Sequence, residues 1–234
     1  MILFFAFIFI IFSITLGKLT IGDDNKVIVD FGLAMIEFFG LIGVLFVGSQ
    51  LLFKEIEGKT IFLILSKPIK RWEFILGKFF GFSLSVLLII LFQGISFLLV
   101  LFFKKIEIDS LILFSIFFTF LKLETLLSLV FFFSTFMSNI LTILVSMMMY
   151  FISHSFSLMI DLMKQTKNEI LLFIISGLQL LFPPFEALNI KDFIGSFKEF
   201  SYQYFLFNSL YSFLYIFIIL FFTILIFNKK SFER

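Results

Sequence analysis

Repeated apolar runs, each long enough to cross a bilayer, constrain this chain more than any single motif. A hydrocarbon core of about 30 Å requires about 20 apolar residues in helical conformation. Such runs recur along the sequence, 61% of its residues are hydrophobic, and the mean hydropathy is +1.17. The continuous runs exclude a β-barrel, because barrel strands alternate polar and apolar residues. The sequence therefore predicts an all-α, multi-pass membrane protein.

The apolar runs and the polar breaks between them predict six transmembrane helices in a single membrane domain, residues 1–234. The predicted spans are 2–16, 31–53, 74–103, 110–136, 140–162 and 205–228. The first run is short at about 1.5 Å per residue, so we expect its helix to begin upstream in a longer product. It lacks the positive n-region of a signal peptide. The chain has no Cys, which excludes disulfides and thiolate metal sites.

The segment 54–72, which we call the elbow, lies between the second and third predicted spans and is strongly basic. It holds five of the basic residues in nineteen positions. Basic loops stay on the cytoplasmic side, so we expect the elbow and residues 229–234 to be cytoplasmic. Residues 18–30, 104–109 and 163–204, where acids match or outnumber bases, then lie outside. The prediction is a cytoplasmic (inner) membrane protein with both termini in the cytoplasm.

The sequence of the elbow indicates a short helix that contacts another protein. Glu55 and Glu57 precede an apolar stretch and Lys67, Lys70 and Arg71 follow it, which complements the dipole of a short helix. Pro68 ends that helix. Its apolar strip is Ile61, Phe62, Ile64 and Leu65. The charged flanks favour burial of this strip in a groove on a partner protein, and the alternative is a solvated loop that touches the membrane.

A second unusual segment precedes the last span. Residues 169–182 are apolar nearly all round, too short to span, and end at Pro183 and Pro184. We expect a hairpin at the outer leaflet. It is either re-entrant, buried in protein at membrane depth, or a helix that lies flat in the headgroup region.

Ionisable residues within the apolar runs are candidate functional residues, because charges are costly at bilayer depth. They are Glu37, Lys122, Glu124, His154 and Asp161. Lys122 and Glu124 are two positions apart and do not share a helix face, so we expect their partners on other helices or in a wet cavity. Ser153, Ser155 and Ser157 flank His154, which favours interhelical hydrogen bonding over proton relay or metal binding. Glu37 and Asp161 are interpreted as markers of the outer interface.

Glycines in two spans predict close helix packing. Gly40, Gly43 and Gly48 lie in the second span, while Gly77 and Gly81 recur four residues apart on one face of the third. Small residues let helices approach closely, and packing within one subunit is favoured over a dimer seam. Gly43 and Gly48 have the glycine spacing of a phosphate-binding loop, but the Lys and the preceding strand are absent. No ATP site is expected in this chain.

Motifs around the elbow carry a resemblance to a known family. Residues 55–60 are followed by an apolar turn and then by the sequence Leu65-Ser66-Lys67-Pro68-Ile69-Lys70-Arg71-Trp72-Glu73-Phe74-Ile75-Leu76-Gly77-Lys78. This pattern resembles the first intracellular loop of ABC transporter permeases of the type-two exporter family. The short link near Met137-Ser138-Asn139 and the segment Pro-Pro-Phe-Glu-Ala-Leu-Asn189 are similar too. The resemblance covers nearly the whole chain.

The resemblance implies a non-catalytic permease subunit that moves a substrate across the membrane. Separate ATPase subunits would hold ATP and Mg²⁺ and dock at a cytoplasmic coupling helix in the elbow. The residues assigned to this coupling are Glu55, Glu57, Gly58, Thr60, Phe62, Leu65, Pro68 and Arg71. Partners would be those ATPases, a second permease copy (identical or paralogous) and membrane lipids, with no nucleic acid. No cofactor, metal or catalytic residue is expected in the chain itself.

Two other classes of function stay open on the sequence. One is a membrane enzyme that uses Glu124 and His154 on a lipid. However, no nucleophile, base and orienting group occur at a recognisable spacing. The other is a non-transporting scaffold with the permease fold. The substrate is open as well, because one fold serves many substrates.

Overall fold

The computed structural model describes residues 24–58, 70–166, 169–194 and 201–229, together with Ile8, Phe12 and Thr15. Every regular element in these residues is helical. The helices are α1 Asp24–Ile42, α2 Ser49–Glu57, α3 Arg71–Lys104, α4 Ser110–Ser134, α5 Asn139–Thr166, α6 Glu169–Leu181 and α7 Tyr202–Lys229. A π-helical turn, Gly43–Gly48, joins α1 to α2, and a 3-10 turn covers Lys191–Phe193.

Local signals in the sequence explain where the long helices begin and end. At the start of α3, the Glu73 carboxylate accepts a hydrogen bond from the Lys70 backbone N–H at 3.0 Å. The same helix ends at Lys105, whose φ of 57° is left-handed, as is common at helix C-termini. Asp109 caps α4 by accepting a hydrogen bond from the Leu111 backbone N–H. The link between α3 and α4 is therefore a tight reversal.

Helix α4 is the centre of the bundle. Buried residues make up 78% of its apolar core, against 22% for α5 and 28% for α7. It packs against α1, α3, α5, α7 and the π turn. Because most of α4 is buried, its polar side chains either find partners inside the protein or stay unsatisfied at a cost. The outer faces of α5 and α7 are exposed and apolar.

Residues 182–194, which we call the strap, follow α6 and fold back onto the bundle. Phe185, Leu188 and Ile190 are each buried to 2% exposure or less. Helix α6 itself packs against α5 and leaves most of its side chains exposed. Tyr211 and Tyr215 of α7 donate hydrogen bonds to the carbonyls of Leu180 and Leu181, at 3.0 and 3.4 Å. These hydrogen bonds join the C-terminal end of α6 to the middle of α7.

The long helices correspond roughly to the predicted spans two to six. Five are long and apolar enough to cross a membrane: Asn25–Glu55, Arg71–Lys104, Ser110–Ser134, Asn139–Gln165 and Tyr202–Lys229. They correspond to predicted spans two to six, and α6 is a shorter apolar helix. Apart from the helical positions Ile8, Phe12 and Thr15, the predicted first span lies outside the described residues. Residues 59–69, with the predicted coupling helix, lie outside them as well.

Candidate functional site

Two groups of polar side chains lie at different depths of the bundle. One lies where α2 ends and α3 begins, which we call the elbow end. The other lies below the strap, nearer the opposite end, which we call the strap end. Of the predicted coupling residues, Glu55, Glu57, Gly58 and Arg71 are described. Thr60, Phe62, Leu65 and Pro68 lie outside the described residues.

An ion pair joins the two helices that flank the elbow. The ammonium of Lys78 in α3 donates to Oε1 of Glu55 in α2, and both side chains are partly buried, at 28% and 21% exposure. Glu57 and Gly58 are exposed. The sequence reasoning missed Lys78. Lys78 lies two turns after the start of α3, and Glu55 lies near the end of α2. Counting helical turns from the elbow along both helices would have indicated that these side chains can meet.

Arg71 joins the elbow to the last helix. Its Nη1 donates to the carbonyls of Asn228 and Phe227 in α7, at 3.0 and 3.4 Å. The rings of Phe74 and Phe227 stack beside this contact, with centroids 5.9 Å apart. An arginine at the end of a helix satisfies unpaired carbonyls and complements the negative end of the helix dipole. Arg71 therefore joins the start of α3 to the end of α7.

Glu37 of α1 is the centre of the buried polar cluster below the strap. The Lys122 ammonium of α4 lies 2.6 Å from Glu37 Oε1, and both side chains are nearly inaccessible, at 2% and 9% exposure. The Tyr150 hydroxyl of α5 also donates to Oε1, and the Lys191 ammonium of the strap donates to Oε2. We call Glu37, Lys122, Tyr150, His154 and Lys191 the Glu37 cluster.

The Glu37 cluster extends one interpretation of the sequence and supports another. The sequence interprets Glu37 only as a marker of the outer interface, but its side chain is buried and accepts hydrogen bonds from three elements, so it also joins them. Lys122 does take its partner from another helix, as expected. Asp161 is exposed and pairs with Lys164 at 3.5 Å. Since Lys191 is 154 positions from Glu37, no local pattern in the sequence indicates their contact.

His154 connects the Glu37 cluster to the polar side chains under the strap. Its Nε2 lies 3.5 Å from Lys122 Nζ and its Nδ1 lies 3.1 Å from the Tyr150 carbonyl oxygen. The neighbouring Ser153 donates to the carbonyl of Pro183, and Ser157 donates to Glu186 at 3.2 Å. Ser153 and Ser157 therefore hold the strap against α5, whereas Ser155 donates to the Phe151 carbonyl of its own helix. Within the described residues, no group of three His, Asp or Glu side chains forms a metal site.

Glu124 lies apart from the Glu37 cluster. It is 5% exposed, on the central helix, and its side chain approaches Ser83 of α3. Its Oε1 makes no hydrogen bond to any described residue. A buried oxygen without a donor costs about 1–3 kcal/mol. Lys122 and Glu124 thus have different surroundings although two positions separate them.

The glycines of the second and third spans have different environments. A Cβ at Gly40 would lie 2.2 Å from Leu123, and one at Gly48 would lie 3.2 Å from Leu127, both on α4. Gly43 is buried in the π turn. At Gly77 and Gly81 no atom lies within 4 Å of an added Cβ. Packing of these two glycines within one subunit, favoured by the sequence, is therefore not found in the described part of the chain.

Two cavities flank the strap. A cavity of about 350 Å³, which we call the α1/α5 cavity, is lined by Glu37, Tyr150, His154, Asn189, Lys191 and apolar side chains of α1 and α5. A second, of about 250 Å³, is lined by Ser153, Glu186, Tyr211 and residues of α6 and the strap. Residues of the strap and of α5 line both cavities.

Comparison with known proteins gives a match over almost the whole chain. A family model described as "ABC-2 family transporter protein" matches residues 11–232. A search among curated proteins gives no match. The matched range includes both the elbow and the Glu37 cluster.

Proposed function

The chain belongs to the ABC-2 transporter family, and from that premise we propose that it is a permease subunit driven by ATP hydrolysed in a separate ATPase. The observation that carries this proposal is that both ends of the elbow are anchored on neighbouring helices, an arrangement we call the frame of the elbow. The Glu55–Lys78 ion pair holds the start of the elbow, and the hydrogen bonds from Arg71 to the last carbonyls of α7 hold its end. A segment anchored on three helices transmits a displacement to all of them. The ATPase, with its ATP and Mg²⁺, binds the elbow from the cytoplasm.

In this proposal the coupling residues have different roles. Glu55 and Arg71 contact their own chain, so they position the elbow. Glu57 is exposed at the end of α2 and is available to a partner. Phe62 and Leu65 supply the apolar strip that the partner's groove covers, with Thr60 and Pro68 at the ends of the coupling helix. Gly58, which directly follows α2, is proposed as the point where the chain leaves that helix.

Helix α7 links the elbow end to the strap end in this proposal. Arg71 holds its C-terminal end, while Tyr211 and Tyr215 hold the last carbonyls of α6. Tyr204 also donates to the strap carbonyl of Ala187 at 2.9 Å. We propose that α6 and the strap form a re-entrant hairpin. At about 1.5 Å per residue, Tyr215 lies about 20 Å along α7 from its start, which supports a position of the α6 end within the membrane.

The transport path requires a second permease copy, identical or paralogous. The exposed apolar faces of α1 and α5 border the α1/α5 cavity, and the second copy and membrane lipids cover such faces. The membrane-enzyme alternative has less support, because both ring nitrogens of His154 are engaged and Glu124 faces α3. A scaffold would not need to bind an ATPase or change its rate, so ATPase measurements distinguish a scaffold from a permease.

The test is complex formation with the ATPase, measured together with the ATPase rate. Phe62→Asp places a charge in the proposed groove, and Glu57→Lys reverses an exposed charge beside it. Interface anchors contribute about 2 kcal/mol or more, so we expect recovery of the complex to fall about tenfold or more. Glu107→Lys, an exposed reversal between α3 and α4, is the matched control. Unchanged binding and unchanged coupled ATPase rate in both elbow variants would favour the scaffold.

The orientation of the chain is tested separately. We propose that the elbow is cytoplasmic and that the start of α1 is outside, because the basic residues cluster in the former. The chain lacks Cys, so a single Lys59→Cys or Asp24→Cys reports its own side. In intact cells an impermeant thiol reagent should label the cysteine at 24 and not the one at 59. The reverse pattern contradicts the orientation.

A further inference from the structure

The α1/α5 cavity combines one charged wall with one apolar wall. Lys191 and Asn189 of the strap lie on the polar side, and Phe38, Met147 and Phe151 lie on the apolar side. Phe38 and Phe151 are 51% and 56% exposed, so the apolar side opens at the surface of the described chain. A volume of about 350 Å³ lies within the range of about 300–1,000 Å³ found for small-molecule sites. The shape and polarity suit an amphiphile.

The charges lining the α1/α5 cavity favour an anion. Both oxygens of Glu37 already accept hydrogen bonds, from Lys122 and Tyr150 on one and from Lys191 on the other. An ammonium has three donors, and the Lys191 side chain keeps 19% exposure. A ligand in the cavity can therefore accept a hydrogen bond from Lys191, whereas both carboxylate oxygens of Glu37 already have donors. The preference for an anion therefore rests on the Lys191 ammonium, which is the partly exposed charged donor at the cavity wall.

The charge of Glu186 acts on Lys122 and Tyr150, but its side chain does not line the α1/α5 cavity. It belongs to the strap, but it lines the second cavity and accepts a hydrogen bond from Ser157. A cationic ligand, which the aromatic side chains alone would accommodate, would approach Lys191 directly. Its charge would be repelled at the point where the cavity is polar.

We propose that the α1/α5 cavity binds an amphiphile with an anionic headgroup, which takes over Lys191 from Glu37 while its apolar chain covers Phe38, Met147 and Phe151. This inference rests on the proposed function and names the substrate class of the permease as anionic membrane amphiphiles. The headgroup competes with Glu37 for one ammonium, so binding loosens the contact that ties the strap to α1. Glu37 keeps Lys122 as its partner throughout.

The experiment measures protection of a cysteine placed in the cavity. Met147→Cys is introduced into the Cys-free chain, purified in a non-ionic detergent, and labelled with N-ethylmaleimide. Three probes share a dodecyl chain: dodecyl phosphate, dodecylphosphocholine and dodecyltrimethylammonium. We expect the phosphate to slow labelling about fivefold or more and the ammonium to slow it less than twofold, a contrast of the size that one charged contact gives. Equal protection by all three probes would overturn the proposal.

Two variants and one control position identify the residue responsible. Lys191→Gln in the Met147→Cys background should abolish protection by the phosphate, while Lys191→Arg should keep it. Lys164→Gln, an exposed lysine on α5, should have no effect. Ile140→Cys, 71% exposed and outside the cavity, should not be protected, since protection there would mean non-specific coating by the probe. Retained protection in Lys191→Gln would overturn the assignment of Lys191.

The result stays decisive if Lys191→Gln fails to fold, because the headgroup series on Met147→Cys measures the anion preference with Lys191 intact. It is also separable from the proposed function. Loss of the anion preference in a chain that still binds and stimulates its ATPase overturns only the substrate class. A chain that shows the anion preference but has no ATPase partner overturns the permease and leaves the binding site.

Discussion

The ion pairs at the elbow end and the strap end each join a lysine to a glutamate, but their surroundings differ. Lys78–Glu55 is partly exposed, at 28% and 21%, whereas Lys122–Glu37 is almost inaccessible, at 2% and 9%. Partly exposed pairs contribute little to stability and can break at low cost. A buried pair is costly to break, because the remaining charge has no water to solvate it. The elbow end is therefore suited to movement, and the α1–α4 contact at the strap end is suited to holding its position.

The largest expected effect is on the buried pair. Glu37→Gln leaves the Lys122 and Lys191 ammoniums without their carboxylate, and we expect a loss of about 3–5 kcal/mol in the free energy of unfolding. Lys191 is partly exposed and can reach water, but Lys122 cannot. The measurement is denaturant unfolding in detergent micelles. The double variant Glu37→Leu with Lys122→Met removes both buried charges and should recover most of the loss. Wild-type stability of Glu37→Gln would show that the pair is not stabilising.

Glu124 provides a second buried carboxylate with different surroundings. It has an oxygen that no described residue satisfies, so Glu124→Gln should be tolerated. Glu124→Lys places an ammonium in the central helix and should reduce membrane insertion or assembly, at a cost of about 2.5–3.5 kcal/mol. The measurement is the yield of folded protein after membrane extraction. Normal yield of the Lys variant would show that this position reaches water or headgroups.

The sequence predicts the approximate positions of the five long apolar helices, because each depends on a local apolar run. The third span was expected at 74–103 and the helix covers Arg71–Lys104. Its charged ends continue the helix beyond the apolar part, and hydropathy does not detect them. The contacts that make up the sites are not local. Lys191 meets Glu37 only because the strap folds back over α1 and α5, and Arg71 meets Asn228 across 157 positions.

Residue type alone also failed to separate glycines that pack from glycines that do not. Gly40 lies under Leu123, but Gly77 and Gly81 face no described atom within 4 Å. The spacing of glycines does not indicate which face of each helix meets α4, and that face accounts for the difference. The π turn at Gly43–Gly48 was not predicted either. The π turn packs against α4, and such a contact between helices distant in the sequence cannot be read from a local pattern.

The partly exposed pair at the elbow end should affect coupling more than stability. Lys78→Gln or Glu55→Gln removes a pair that contributes about 0.2–1 kcal/mol, so the unfolding midpoint should change little. The stimulated ATPase rate should fall, because the elbow loses its anchor on α3. The double variant should lose no more than either single variant, as expected for two residues that act together. Additive losses would mean that Glu55 and Lys78 act on separate partners.

The smallest effect should come from Asp161–Lys164, which completes the series from buried to exposed pairs. These side chains are 68% and 63% exposed and lie 3.5 Å apart on one turn of α5. Water already solvates both charges, so Lys164→Gln should change the free energy of unfolding by less than about 0.5 kcal/mol. The change should also disappear in high salt, which screens exposed charges. If Lys164→Gln instead destabilised the protein as much as Glu37→Gln, burial would not be the property that separates the ion pairs. The contrast between the two ends of the bundle would then need another cause, such as the number of helices that each pair joins.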